Sequence, residues 1–343
     1  MTLKGIQSDH LNAWFSEHIE SATPPLDFKL ITGGHSNLTF CVTDRRDRKF
    51  VLRRPPTGAV IATAHDMARE HRIISALAKT SVPVPPALGL CEDESVNDAP
   101  FYVMAFVEGL VLENHRITAD HFDEAARRRL GSDVVEVLAA LHAVEPDDVG
   151  LGDLGRREDY LARQLKRWRT QWEKTRTREL STMDEVFQGL QSKRPEQIGA
   201  TIVHGDYRLG NMLVTSEARI VAVLDWELCT LGDPMADLGY IMNNWTQPGE
   251  EGPGAGSAAA SPSYAGGFQT RQEFVARYQE LTGRGVEQID YYRAFQYWRL
   301  AAIVEGVLAR YLKGVMGAEA DTDAFRQQVD GLARAAYDLL AEL

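Results

Sequence analysis

The sequence predicts an α+β fold in two lobes, the first rich in β-strands and the second mainly helical. Three observations carry this reading. Short apolar runs bounded by glycine, proline and polar residues dominate the first hundred or so residues, as strands do. From Thr118 onward apolar residues recur at helix spacing instead. At 343 residues the chain exceeds one average domain and suits two lobes around a cleft. The division falls at 1–107 for the first lobe and 108–343 for the second.

In the first lobe, Asp9 is placed to cap a helix running to about Ile19, with Leu11, Trp14, Phe15 and Ile19 on one face. Pro24-Pro25 breaks it. Phe28–Ile31 then forms a strand, Thr32-Gly33-Gly34-His35-Ser36-Asn37 a turn, and Leu38–Thr43 the returning strand. Paired glycines in such a turn let backbone N–H groups approach a phosphate, although a plain hairpin uses the same residues. Lys49–Pro55 is a third strand. A helix over Asp66–Ala78 turns Ile73, Ile74 and Leu77 to the core. After Pro83, Pro85 and Pro86, Ala87–Leu90 begins another strand, and Phe101–Val107 is a compact apolar one leading to Glu108-Gly109.

The second lobe opens with Val134, Val135, Leu138 and Leu141 at helix spacing, and His142 reads as a packing histidine. Tyr160–Leu180 reads as one long helix with Leu161, Leu165, Trp168 and Trp172 on a stripe. Lys166, Arg167, Arg169, Lys174, Arg176 and Arg178 crowd the remainder, either as a solvated face or as a wall for an anionic substrate such as a CoA ester. Gly232–Leu238 opens a helix to about Asn244, with Pro234 at a start position where its missing N–H has no partner to lose. Gly249–Gly267 has the composition of a mobile loop, a lid or plain disorder. Helices follow over Arg271–Thr282, Ile289–Leu312 and Asp323–Leu343.

The chemistry concentrates in Ile202–Glu227, IVHGDYRLGNMLVTSEARIVAVLDWE. His204-Gly205-Asp206 is followed five residues after the aspartate by Asn211, and the short apolar run Ile220–Leu224 delivers Asp225 at its end. One carboxylate can take the proton of an attacking hydroxyl. A second carboxylate and an amide oxygen are hard ligands for Mg²⁺ on nucleotide phosphates. The protein kinase catalytic loop H-R-D-x-x-x-x-N has the same offset and a later metal-binding Asp. In this reading Asp206 acts on the hydroxyl, while Asn211 and Asp225 hold Mg²⁺. His204 braces the loop, and Arg208 lies near the transferred phosphoryl group. Glu227 either approaches a second metal or points to solvent.

With Gly232-Asp233-Pro234-x-x-Asp237-Leu238 added, the motifs HGDxxxxN and LDWExxxxGDPxxDL resemble those of the aminoglycoside phosphotransferase/choline kinase family, which has a protein-kinase-like fold. The resemblance covers about residues 25–315. It implies a small-molecule kinase using ATP or GTP with Mg²⁺, and a small hydroxylated substrate. It makes the turn a nucleotide-covering loop, with Gly33, Gly34, Ser36 and Asn37 on the phosphates. Arg53 stands where such folds carry a lysine, and the resemblance makes Glu70 its partner. It also makes Ala105–Val107 the hinge, with the backbone of Ala105 and Val107 against the base. Asp237 becomes a structural acid bonded to catalytic-loop backbone. The wording GGHSNLTF, FVLRRPP and HGDYRLGN is similar to the branch fused to acyl-CoA dehydrogenases, which implies a hydroxyacyl-CoA or related metabolite as acceptor.

Composition narrows the alternatives. A formal charge of −12 argues against a general nucleic-acid binder. Cys41, Cys91 and Cys229 have no metal-ligand spacing, and the opening residues lack the apolar run of a signal peptide. No stretch is long enough to span a bilayer, so a cytoplasmic protein without membrane partners is expected. Two rival readings stand: an aminoglycoside phosphotransferase, for which no acidic acceptor cluster is visible, and a pseudokinase-like module that binds nucleotide without transfer. The absence of an A-P-E element argues against a protein kinase.

Overall fold

The computed structural model describes residues 3–31, 37–57, 66–253, 257–314 and 321–343. The chain divides into two compact units, one of Met1–Gly109 with Val221–Glu227, the other of Leu110–Ile220 with Leu228–Leu343.

The first unit is a five-stranded antiparallel sheet with helices. Its elements are α1 (Ser8–His18), β1 (Asp27–Leu30), β2 (Leu38–Thr43), β3 (Lys49–Arg54), α2 (Met67–Leu77), β4 (Ala87–Cys91), α3 (Glu94–Asn97) and β5 (Phe101–Ala105), with strand order β1-β2-β3-β5-β4. The two-residue period of a strand sorts its side chains. Phe40, Val42, Phe50, Leu52, Phe101 and Val103 join Leu11, Trp14 and Phe15 of α1 in one core. Arg53 and Tyr102, of opposite parity and paired in register, therefore face the other way.

Two details depart from the sequence reading. Gln7, not Asp9, precedes α1 and makes no side-chain cap; its N–H is held by the Asn97 side chain at 2.9 Å, so a tertiary contact fixes the helix start. The last strand ends at Ala105, two residues before Val107.

The second unit contains β6 (Leu110–Val111), α4 (His115–His121), α5 (Glu124–Ala143), α6 (Tyr160–Thr175), α7 (Ser181–Ser192), β7 (Thr201–Val203) and β8 (Met212–Val214). After β9 (Ile220–Val223), which apart from Ile220 belongs to the first unit, come β10 (Thr230–Gly232), α8 (Met235–Asn244), α9 (Ser257–Ala260), α10 (Arg271–Thr282), α11 (Ile289–Leu312) and α12 (Thr322–Ala341). Strand β6 pairs with β8, and β7 with β10. Helix α11 is buried nearly all round and packs against α6, α7, α8 and α12. The α+β class holds.

The expected Tyr160–Leu180 helix stops at Thr175, where Arg176 turns extended with ψ 133°, and α7 begins afresh. Three of its six basic residues are engaged by acids: Arg169 pairs with Asp184 and Glu173, Arg176 with Glu179, and Arg178 with Asp330. Part of the expected 249–267 loop is ordered. Ser257–Ala260 is helical and Pro262–Ala265 forms a 3₁₀ turn, with the Ser261 and Ser263 hydroxyls donating to the Asn244 and Thr246 carbonyls at 2.6 and 2.9 Å.

Candidate active site

In the first unit, Arg53 stands at the centre of a carboxylate cluster. Its Nη2 donates to Asp225 Oδ1 at 2.7 Å and lies 3.4 Å from Glu227 Oε2. Its Nε lies 3.0 Å from Glu70 Oε2, a close ion pair off the hydrogen-bond direction. The Asn37 amide donates to Glu70 Oε1 and Glu227 Oε2 at 3.1 and 3.2 Å, and the Tyr102 hydroxyl donates to Glu70 Oε2 at 3.1 Å. Glu70 is 2% exposed. Burial pushes its carboxyl up to about 7, against the pull of the Arg53 guanidinium and the Tyr102 hydroxyl. Glu227 therefore belongs to the Arg53 cluster and is not left to solvent. Asp225 sits just past β9 with φ 66°, a left-handed conformation that aspartate tolerates better than most residues.

In the second unit, the loop from β7 to β8 carries the other predicted group. Gly205 has φ +84°, and a Cβ there would lie 2.9 Å from the Leu228 carbonyl oxygen, so only glycine fits. The buried Asp237 carboxylate accepts the His204 N–H at 2.7 Å and the Gly205 N–H at 2.8 Å, with His142 Nε2 at 3.3 Å. Burial works to raise its pKa, yet its bonds to His142 and to the Gly205 N–H hold it below the usual carboxylate range. His142 also meets the Tyr278 hydroxyl at 2.7 Å, a packing histidine with both ring nitrogens engaged. The Asp206 N–H donates to His204 Nδ1 at 3.1 Å, which places the ring proton on Nε2 and makes His204 a brace.

Asp206 itself is positioned by its neighbours. Asn211 Nδ2 donates to Asp206 Oδ2 at 2.7 Å and to the Asp206 carbonyl at 2.9 Å, which turns the Asn211 amide oxygen away from the aspartate. Arg208 Nε lies 3.4 Å from Asp206 Oδ1. Burial and the Asp206 charge push the Tyr240 phenol up, so it stays protonated. Behind the loop, Arg299 of α11 donates to the Gly205 carbonyl at 3.0 Å and to Gln296 Oε1 at 2.8 Å. A cavity of about 370 Å³ exposes Asp206, Arg208, Tyr240, Asn244 and Arg299 together. A larger one of about 640 Å³ shares Arg208, Tyr240 and Asn244 and adds the amides of Asn243, Gln327 and Gln328.

Of the predicted residues, Asp206, Arg208 and Asn211 lie together in the second unit, and Asn37, Arg53, Glu70 and Asp225 lie together in the first. Ala105 closes β5 with its N–H given to the Pro86 carbonyl at 2.9 Å, and Val107 follows outside the strand. Gly33, Gly34 and Ser36 lie outside the described residues. Tyr102, Tyr240, Gln296 and Arg299 went unread. For the last two the signal was present: a glutamine and an arginine one turn apart inside an otherwise apolar stretch of helix. Among the described residues no trio of His, Cys, Asp or Glu has metal-holding geometry, and no helix is long and apolar enough to cross a membrane.

Residues 27–274 match the phosphotransferase enzyme family. Mouse acyl-CoA dehydrogenase family member 10 is 33% identical over 330 residues, 92% of this chain and 29% of the relative. The chain spans 29%, 41% and 43% of the length of three curated relatives it matches. A solved "putative aminoglycoside phosphotransferase" from Ralstonia eutropha is 33% identical, with a TM-score of 0.82 over 98% of each chain. Aminoglycoside phosphotransferase APH(4)-Ia, solved with AMP-PNP and hygromycin B, is 18% identical and shares the fold at a TM-score of 0.61 over 95% of this chain and 98% of its own. The resemblance read from the motifs therefore holds: this chain belongs to the phosphotransferase enzyme family and has its kinase-like fold.

Proposed function

We propose that this chain is a small-molecule kinase that moves the γ-phosphoryl group of ATP or GTP to an alcohol. The observation that carries this reading is Asp206, held by Asn211 and by the His204 ring at the wall of a cavity wide enough for a small acceptor. Asp206 takes the proton of the acceptor hydroxyl as its oxygen bonds to phosphorus. The bond from phosphorus to the β-phosphate oxygen breaks, releasing the nucleoside diphosphate. Arg208, beside Asp206, offsets charge on the moving group.

We infer from the motif that Asp225 and Asn211 supply Mg²⁺ with a carboxylate and an amide oxygen, hard donors suited to that ion; the Asn211 NH₂ is spent on Asp206, which leaves its oxygen for such a role. When bound, that ion neutralises charge on the nucleotide phosphates. Arg53 is suited to the α- and β-phosphates, because a guanidinium bonds two oxygens at once where the usual lysine is a point charge. Most of the catalysis then comes from positioning and charge.

For the acceptor we infer a hydroxyacyl-CoA or a related hydroxylated metabolite, supported by the names of the curated relatives. The name of the Ralstonia protein keeps an aminoglycoside as the second reading. Cys41, Cys91 and Cys229 form no disulfide, which suits a reducing compartment such as the cytoplasm. The test is ATP-dependent phosphorylation of hydroxyacyl-CoAs, choline, sugars and aminoglycosides. Asp206→Asn should lower kcat by about 10²-fold or more while nucleotide affinity holds. Undiminished turnover by that variant would refute the assignment, and nucleotide binding without transfer to any alcohol would mark a pseudokinase-like module.

A further inference from the structure

The acceptor cavity contains a buried cation that the proposed transfer does not use. Arg299 is 7% exposed, and its guanidinium lies 5.4 Å from the centre of the Trp168 ring and 5.7 Å from that of Tyr240. Arg167 approaches the same Trp168 ring at 5.3 Å. Neighbouring Arg169, Arg176 and Arg178 each hold a carboxylate. Among the described residues, neither Arg299 nor Arg167 has a carboxylate within ion-pair reach. Burial and the Arg299 charge hold the Arg167 guanidinium below its ordinary value, as expected of two like charges left close together.

Such an arrangement is unfavourable in a chain of formal charge −12, where acids are plentiful. The hydrogen bond to the Gly205 carbonyl does not require a full charge, since a neutral donor would serve. A guanidinium has five N–H donors, and the bonds to Gly205 and Gln296 use two. Arg299 also faces a cavity whose other cation, Arg208, already leans on Asp206. The cavity of about 370 Å³ thus has more positive than negative charge on its lining side chains, the acids Glu113 and Asp321 belonging to the larger cavity that shares Arg208 with it.

We propose that Arg299 is the anion-binding residue of the acceptor site, so that the alcohol phosphorylated here carries its own negative oxygen group, a carboxylate or a phosphate, close to the hydroxyl. Arg208, beside Asp206, and Arg167, close to the same Trp168 ring, add to the field. The proposal rests on the phosphotransferase reading and narrows its acceptor: polycationic alcohols are repelled, anionic ones are drawn in, and a free hydroxy acid or phosphorylated alcohol is favoured over a hydroxyacyl-CoA, whose thioester carbonyl is uncharged.

The first experiment compares matched probes with ATP and Mg²⁺: 3-hydroxybutyrate against its methyl ester, and glycerol 3-phosphate against glycerol. The charged member of at least one pair should be preferred by about tenfold to a hundredfold in kcat/KM. Arg299→Met should collapse that ratio and Arg299→Lys should restore part of it. A ratio unchanged while both rates fall would leave Arg299 as a loop brace alone and overturn the proposal. The second experiment is independent of turnover. Inorganic phosphate is titrated calorimetrically into protein preloaded with ADP and Mg²⁺, or into free protein if ADP does not bind. Wild type should bind it and Arg299→Met, folded by circular dichroism, should not. No binding to wild type, or equal binding to the variant, overturns the proposal. Failure of the kinase reading would show separately, as no transfer to any alcohol.

Discussion

Glu70 has an ordinary carboxyl value of 4.5 that burial raises to about 7 in the folded chain. Between those values the folded protein retains a proton that the unfolded chain has lost. The stability this contributes is complete below pH 4.5 and disappears as the pH rises through about 7, a change on the order of 1–3 kcal/mol. Thermal melts across that window should show Tm falling with pH, and Glu70→Gln should flatten the slope. A Tm in wild type that rises steadily from pH 5 to 8, unaltered by the substitution, would contradict this. At this scale the sequence was informative wherever a role depends on local spacing. Asp206 and Asn211 were visible because one short loop carries both. Tyr102 was not, because its place beside Glu70 follows from strand register and from a helix more than two dozen residues earlier.

Among the elements, the approach of α8 to α11 sets the catalytic loop, since Asp237 lies on α8 and Arg299 on α11. Gly239 permits that approach: a Cβ there would lie 2.8 Å from Tyr292 Cβ and 2.9 Å from its carbonyl carbon. Gly239→Ala should therefore destabilise by ~1–3 kcal/mol, and lower Tm by roughly 2–4 °C for each kcal/mol in a chain of this size. A melt indistinguishable from wild type would show that the helices move apart freely. Helices α10 and α11 were legible to the residue, because Thr270 caps the first with a capping box and an unbroken apolar pattern runs through the second. The end of α6 was not, since nothing in Arg176–Leu180 forbids helix; the segment is held open by tertiary contacts, the Thr177 N–H and hydroxyl donating to the buried Glu305 carboxylate and Arg178 pairing with Asp330. Met183, Val186 and Leu190 repeat at helix spacing and would have revealed α7. In 249–267, composition concealed the buried hydroxyl bonds of Ser261 and Ser263.

For the molecule as a whole, the decisive fact is that Val221–Glu227 belongs with Met1–Gly109. This segment gives the Val223 N–H to the Pro83 carbonyl at 2.8 Å and supplies two of the three carboxylates around Arg53. No local pattern announces that return, because it depends on tertiary contacts between distant parts of the chain. A fragment of residues 1–109 should therefore fail to unfold cooperatively, and should gain a sharp transition when a peptide spanning Val221–Glu227 is added. A sharp melt of the fragment alone would show the segment to be dispensable. During synthesis the same arrangement imposes a wait. The first unit leaves the ribosome with its arginine short of two counter-charges, and they arrive only about 6–24 s later at elongation rates of 5–20 residues per second. Over that interval the nascent chain presents Arg53 with one of its three carboxylates and the Pro83 carbonyl without the Val223 N–H, which is when a holding chaperone would matter most.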